Sequence, residues 1–221
     1  MREIDVWTVG LRGLPTTGDL LDDDERRRWQ RLRMAGLRER FAAAHWARRM
    51  ILARRLGVDP ADLRFETGRW GKPELTDRAV FHSLSHSGEV AMVAVSSAGP
   101  VGVDIEAIRP DLPATRLART FFRPHEVASV ENAVDRPGRY IRLWTRKEAA
   151  GKVTGISLDR TLRIDAVGRP GRPVDLDCPD GGRGMARITD IDAPEGFLAS
   201  AALLGDEPFL VRPATFHAVP A

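Results

Sequence analysis

Apolar and polar residues alternate strictly over residues 101–106 (VGVDIE), where three aliphatic side chains are interleaved with Gly102, Asp104 and Glu106. Since successive side chains of a strand point to opposite faces, this alternation predicts a β-strand with one apolar face and two carboxylates on the other. Their Cα atoms would lie roughly 6–7 Å apart. Such a pair is typical of a solvated strand face, and equally of a Mg²⁺ site, because Mg²⁺ binds one or two carboxylates together with water and phosphate.

Apolar periodicity predicts the other elements of the chain. Residues 38–56 have helical spacing, and Gly57 follows as a stop signal. An acidic run followed by arginines, from Asp19 onward, suits the dipole of a further helix. Additional helices are predicted over residues 114–120, from Pro124, and over residues 139–152, and strands over residues 4–11, 162–167, 186–190 and 197–204.

Two segments of the chain resemble each other. Residues 88–95 (GEVAMVAV) and 196–203 (GFLASAAL) align with a glycine and two alanines in step, and each lies among helix and strand signals. This repetition predicts two similar α/β halves that lie side by side with a cleft between them.

Composition restricts the class of protein. The 221 residues are 43% hydrophobic and 29% charged, with a net charge of +3, which describes a globular protein. Cys178 is the single cysteine, so internal disulfides and cysteine-based metal sites are excluded. We expect a cytoplasmic protein, because no signal-peptide pattern and no apolar run of ~18 residues is present. The arginines of residues 22–40 favour a phosphorylated or acidic partner, and nucleic acid is disfavoured because exposed aromatics are not interleaved with them.

Three short motifs carry further candidate chemistry. Ser85-His86-Ser87 offers small hydrogen-bonding groups suited to a phosphate or ribose, whereas a serine nucleophile is disfavoured because no Gly-x-Ser-x-Gly motif is present. Glu148 and Lys152, four residues apart on one helix face, form either a surface ion pair or a metal carboxylate beside a phosphate-binding cation. Gly151 favours the second alternative, because a glycine inside a helix costs about 1 kcal/mol and implies a close neighbour. The turn around Lys72 is by itself typical of a hairpin loop.

In order along the chain, four motifs resemble those of the 4′-phosphopantetheinyl transferases: residues 70–73 (WGKP), 85–87 (SHS), 102–106 (GVDIE) and 144–152 (WTRKEAAGK). The two-lobed, monomeric Sfp-type branch fits best, and the resemblance extends over about residues 1–205. It implies an α+β fold in which two pseudo-twofold-related α/β halves, residues 1–100 and 101–221, form one functional unit with the active site at their interface. Members of that family transfer the 4′-phosphopantetheine arm of coenzyme A to a serine of an apo acyl or peptidyl carrier protein and release adenosine 3′,5′-bisphosphate.

The resemblance also implies roles for individual residues. Asp104, Glu106 and Glu148 would bind Mg²⁺, or Mn²⁺, against the coenzyme A pyrophosphate, and Lys152 would neutralise charge in the transition state. Glu148 would accept the proton of the carrier serine, directly or through a metal-bound water. The remaining expected contacts of coenzyme A are Arg28, Arg40 and His86 at the 3′-phosphate and Lys72 and Ser85 at the nucleotide. The chain departs from the family at His82-Ser83-Leu84, where Phe-Asn-Ile is common.

The family acts on acidic carrier proteins, so the arginine-rich first half and residues 112–130 are the expected docking surface. Phe121 and Phe122 together are expected to be a buried anchor, and Phe122 would either anchor the partner helix or belong to the core. Fatty acid, polyketide and nonribosomal peptide pathways stay open. Two other functions also stay open: a Mg²⁺-dependent phosphodiesterase that uses the same acids, and a non-catalytic module that binds carrier proteins or coenzyme A.

Overall fold

A computed structural model describes residues 1–77, 79–167, 172–178 and 181–216 of the chain. Within these residues, helices and strands follow one another in the order β1 (Arg2–Gly10), α1 (Asp23–Arg31), α2 (Ala35–Leu56), β2 (Phe65–Thr67), β3 (Pro73–Leu75), β4 (Phe81–Ser87), β5 (Val90–Ser96), β6 (Val101–Ala107), α3 (Ala114–Phe121), α4 (Pro124–Glu131), α5 (Arg136–Thr154), α6 (Leu158–Leu162), β7 (Pro173–Asp177), β8 (Arg183–Ile191), β9 (Phe197–Leu204) and β10 (Phe209–Thr215). No helix of this described part is long and apolar enough to cross a membrane.

Two four-stranded sheets form the framework, with strand orders β10-β1-β5-β4 and β6-β9-β8-β7, and β2 and β3 form a separate hairpin. Strands β4 and β6 contact each other at the junction of the sheets, so β5 and β9 each lie one strand away from it. The two similar sequence segments are these strands, which confirms an α+β fold with two similar halves. Strand β10 pairs with β1 in the first sheet although it lies late in the chain. A domain boundary near residue 100 therefore stays a prediction.

Serine side chains connect the two sheets. Ser83, Ser85 and Ser87 alternate along β4 and all three reach β6. Ser83 Oγ accepts a hydrogen bond from Val103 N at 3.1 Å, and Ser87 Oγ accepts one from Ala107 N at 3.1 Å. The polar alternation of β4 thus follows from its place at the junction, where its serines bond to the backbone of the neighbouring half.

One helix packs on each sheet. Helix α2 presents a run of buried alanines to β4 and β5 and ends at Gly57, whose φ of 71° is the left-handed conformation that glycine adopts most easily. Helix α5 lies on β6 and β9. It approaches β6 so closely that a Cβ at Gly102 would overlap the carbonyl oxygen of Ala149. Gly102 is thus required for the packing of α5.

Two sequence predictions are wrong. Residues 163–167 do not form the predicted strand, because charged side chains bind their backbone: Arg146 donates to Ala166 O, Lys147 to Ile164 O, and Ala166 N donates to Glu126. The alternation there places Ile164 and Ala166 in two core clusters without a partner strand. Phe121, predicted to be buried with Phe122, is 42% exposed.

Candidate active site

Asp104 lies at the centre of the junction. It is 3% exposed, and its Oδ1 accepts hydrogen bonds from Ser85 Oγ at 2.7 Å and from Lys152 Nζ at 2.6 Å. Lys152 also donates to Ser85 Oγ at 2.9 Å. The second oxygen, Oδ2, is buried and has no hydrogen-bond partner among the described residues. A buried carboxylate oxygen without a donor is costly, so Asp104 has capacity for an additional positive ligand.

Glu106 and Glu148 interact electrostatically with Asp104. Glu106 accepts a hydrogen bond from Ser87 Oγ at 2.8 Å, while burial and the Asp104 carboxylate raise its pKa. Glu148, on α5, is half-buried, and its pKa is raised by burial, then by Asp104 and also by Glu106. The three acids therefore repel one another, as the sequence prediction of one shared cleft implies. A divalent cation would relieve that repulsion.

The carboxylate oxygens of Asp104, Glu106 and Glu148 do not all lie within 4.8 Å of one another. Among the described residues, the group whose potential ligand atoms all lie within 4.8 Å of one another is a different one, His125, Glu126 and Asp165. Glu126 in that group is fully buried and already pairs with Lys147 Nζ at 2.8 Å. Since its charge is compensated, Glu126 is poorly suited to a metal, and the hard oxygen donors around Asp104 fit Mg²⁺ better.

A cavity of about 460 Å³ opens beside these acids. Six of the predicted site residues line it: Arg28, Lys72, Ser85, His86, Glu148 and Lys152. Asp104 and Glu106 are not among the lining residues, but Asp104 bonds to two of them, Ser85 and Lys152. The volume is within the range of about 300–1,000 Å³ that small-molecule sites have.

Arg40 and Lys72 have partners that sequence reasoning did not anticipate. Arg40 Nη1 pairs with Glu89 Oε1 at 3.2 Å, outside the cavity lining, although its charge contributes to the lowered pKa of His86 after burial and Lys152. Lys72 Nζ donates to the carbonyls of Val101 at 3.0 Å and Val153 at 2.9 Å, and burial lowers its pKa to about 8. Lys72 thus ties β6 to α5, and its contact with a nucleotide stays a prediction.

Two glycines allow α5 to pack closely. A Cβ at Gly151 would overlap the side chain of Thr161, which confirms the close neighbour predicted for this helical glycine. Gly155 ends α5 with a φ of 75°, and a Cβ there would lie 2.7 Å from Cβ of Lys72. Both glycines line the cavity.

Sequence reasoning assigned no role to several residues of the cavity wall. His45 is buried and its Nδ1 lies 2.8 Å from Phe41 O, yet it also lines the cavity. Arg48 and His82 line it too, although they are 1% and 4% exposed. His82 could have been selected from the sequence, because the chain departs from the family pattern at this position.

This chain is similar to known proteins. The profile of the 4′-phosphopantetheinyl transferase superfamily matches residues 100–198. The 4′-phosphopantetheinyl transferase HetI of Nostoc sp. (strain PCC 7120) is 32% identical over 184 residues, which are 79% of this chain and 78% of that protein. The putative 4′-phosphopantetheinyl transferase slr0495 of Synechocystis sp. is 35% identical over 147 residues, 64% of this chain and 60% of that protein. The 4′-phosphopantetheinyl transferase Sfp of Bacillus subtilis (strain 168) is 29% identical over 140 residues, 60% of this chain and 59% of that protein.

Proposed function

The chain belongs to the 4′-phosphopantetheinyl transferase superfamily, and on this premise we propose that it transfers the 4′-phosphopantetheine arm of coenzyme A to a serine of an apo acyl or peptidyl carrier protein. The serine oxygen attacks the pyrophosphate phosphorus that carries pantetheine, and the bond from that phosphorus to the bridging oxygen breaks. Adenosine 3′,5′-bisphosphate leaves with the electron pair of that bond.

The contact between Lys152 and Asp104 is the observation that carries this proposal. A cation from α5 lies 2.6 Å from a buried carboxylate of β6, and Glu148 of the same helix lies at the edge of the adjoining cavity. An ion pair on the surface would require neither a buried carboxylate nor the hydroxyl of Ser85, which contacts both Asp104 and Lys152. The arrangement suits a phosphate ester that is bound across the two halves of the protein.

The proposed reaction depends on Mg²⁺, for which Mn²⁺ is a substitute. Asp104, Glu106 and Glu148 would hold the cation, because Asp104 Oδ2 is unpartnered within the described residues, and burial, followed by the neighbouring acids, raises the pKa values of both glutamates. Such a cation polarises the phosphoryl group and offsets the charge of the leaving phosphate.

Two side chains carry out the remaining chemistry. Lys152, at the cavity wall, neutralises the negative charge that builds on the phosphates. Glu148 accepts the proton of the attacking serine, directly or through a bound water.

The nucleotide part of coenzyme A is proposed to occupy the cavity. His86 and Arg28 bind the 3′-phosphate at the wall formed by α1, α2 and β4, and Arg40 joins them by exchanging its pairing with Glu89. Ser85 and Lys72, which also line the cavity, contact the nucleotide or its phosphates. Guanidinium groups suit this role because they bind phosphate in a bidentate manner.

The carrier protein is proposed to be acidic and to dock on the surface formed by α3, α4 and the arginines of α1. Phe122 stacks on Tyr140 with ring centroids 4.7 Å apart and is buried, so it belongs to the core, and the exposed Phe121 is the better anchor. Because both halves of the site come from one chain, we propose that the protein acts as a monomer. We also propose that it acts in the cytoplasm.

The test is a panel of apo acyl, polyketide and peptidyl carrier proteins, each incubated with the protein, coenzyme A and Mg²⁺ and measured by intact mass. We expect at least one carrier to gain the mass of one phosphopantetheine, and Asp104→Asn to abolish that gain. Release of adenosine bisphosphate without a carrier would instead indicate a phosphodiesterase. Metal-independent binding of a carrier or coenzyme A, with no mass gain, would indicate a binding module.

A further inference from the structure

His82 has hydrogen-bonding capacity that the described protein does not use. The side chain is 4% exposed and lines the cavity from strand β4. Neither Nδ1 nor Nε2 has a hydrogen-bond partner among the residues that the structure describes. Most buried polar side-chain atoms in proteins do have a partner, so a histidine with both ring nitrogens unpaired calls for one.

The surroundings of His82 fix its ring and its charge. Phe65 meets the imidazole edge-on, with ring centroids 5.4 Å apart, and so holds its plane. Burial, then the charges of Arg48 and Lys72, lower the pKa of His82 well below its ordinary value, so the ring is neutral. A neutral imidazole has one nitrogen that donates and one that accepts, whichever tautomer is present.

The rest of the cavity indicates which group of a ligand meets this imidazole. Arg28 and Lys152 supply cations for phosphates, so a neutral ring is not needed there. Trp70, Pro73 and Phe41 supply flat or apolar surface along the same wall, which suits a planar heterocycle. One nitrogen of a neutral imidazole, as donor or as acceptor, matches the polar edge of such a base better than an anion.

We infer that His82 hydrogen-bonds the edge of the adenine base of coenzyme A formed by N1 and the 6-amino group. These are the polar atoms of the base farthest from the ribose, so they can reach a residue that is separate from the phosphate-binding side chains. This inference rests on the proposed function, because it takes coenzyme A as the ligand. It adds a base-specific contact at the position where this chain departs from the family's phenylalanine.

The test uses calorimetric titration of the full chain with adenosine 3′,5′-bisphosphate and inosine 3′,5′-bisphosphate, which differ at this edge of the base. The variants are His82→Phe and the smaller His82→Leu, which remove the hydrogen bond, and His82→Gln, which retains a donor and an acceptor. His86→Phe is the matched control at the proposed 3′-phosphate contact.

We expect His82→Phe or His82→Leu to weaken adenosine bisphosphate about tenfold and to remove most of the preference for adenine over hypoxanthine. His82→Gln should restore part of both. Without ligand, the His82→Phe and His82→Leu variants should melt about 2–4 °C higher than the wild type, because an unpaired buried imidazole has been removed. With coenzyme A and 3′-dephospho-coenzyme A, the His82 variants should weaken both ligands equally, whereas His86→Phe should weaken coenzyme A more.

Three results would overturn the inference. If the wild type binds the bisphosphate and the apolar variants bind it equally well, His82 makes no contact with the ligand. If they lose affinity for adenosine and inosine ligands alike, or only for the ligand with a 3′-phosphate, the contact is not to the base edge. If the wild type binds neither bisphosphate nor coenzyme A, the proposed function fails and the inference fails with it.

Discussion

Replacing Gly102 by alanine should separate the two elements that carry the proposed catalytic groups. Gly102 lies on β6, two residues before Asp104, and the backbone of α5 packs directly on it. An added Cβ would overlap Ala149 O and lie only 3.0 Å from Val153 N, where ordinary contacts begin at 3.4 Å. Because the obstructing atoms are backbone, no rotamer change relieves them, and α5 itself must move.

The displacement can be converted into expected effects. Helix α5 must recede by about 0.4 Å at Val153 N and by about 1.5 Å at Ala149 O, which would lie 1.9 Å from the added Cβ, so we expect a shift on the order of 1 Å. Such overpacking costs about 1–3 kcal/mol of unfolding free energy, and Tm should fall by about 2–12 °C. A misplacement approaching 1 Å in the catalytic groups lowers turnover on the order of 10²-fold. Glu148 and Lys152 both move with α5, so carrier modification should suffer this loss.

The assay is the initial rate of carrier phosphopantetheinylation by intact mass, with Tm measured on the same samples. Gly10→Ala is the matched control, because Gly10 also lies in a strand, has no positive φ, and a Cβ there would meet nothing within 4 Å. The control should change Tm by less than about 2 °C and leave the rate intact. A Gly102→Ala variant as active and as stable as Gly10→Ala would refute the packing argument.

Three further predictions test other parts of the structure. Lys152→Met should lower kcat by about 10²–10³-fold, and Lys152→Arg should not restore it, whereas full activity in either would contradict the proposed role. Lys147→Met leaves the fully buried Glu126 without its cation and should cost about 3–5 kcal/mol in chemical denaturation, part of which adding Glu126→Gln should recover; an unchanged midpoint would contradict the buried pair. Tyr140 is the one tyrosine of the chain, and burial raises its pKa to about 12, so absorbance near 295 nm should show ionisation about two pH units higher in the folded than in the unfolded protein. Because the folded pKa is the higher one, this contribution to stability is complete below pH 10 and is lost as the pH rises towards 12; a folded-state pKa near 10 would contradict it.

Local patterns were sufficient for the elements that carry the site. The alternation around Asp104 predicted β6, and helical spacing predicted the helix that carries Glu148 and Lys152, because both periodicities arise within a few residues. The glycine at position 151 predicted a close neighbour, which is Thr161. The repeated segments predicted two similar halves, and they occupy equivalent positions on either side of the junction.

Long-range partners could not be predicted in the same way. Residues 163–167 alternate like a strand, but their backbone groups bind side chains of α4 and α5 that no local pattern indicates. Strand β4 is polar because its serines bond to the other half, so its alternation lacks the apolar face that marks a strand. The ammonium of Lys72 binds two backbone carbonyls, since the hairpin that carries it packs against the end of α5.

The central claim is that Asp104, Glu106 and Glu148 bind one divalent cation. The most direct measurement is anomalous diffraction from crystals of the protein with Mn²⁺ and coenzyme A. The account predicts one manganese peak coordinated by these three carboxylates and by the pyrophosphate. A peak at His125, Glu126 and Asp165 instead, or a bound coenzyme A whose pyrophosphate has no metal near Asp104, would contradict it.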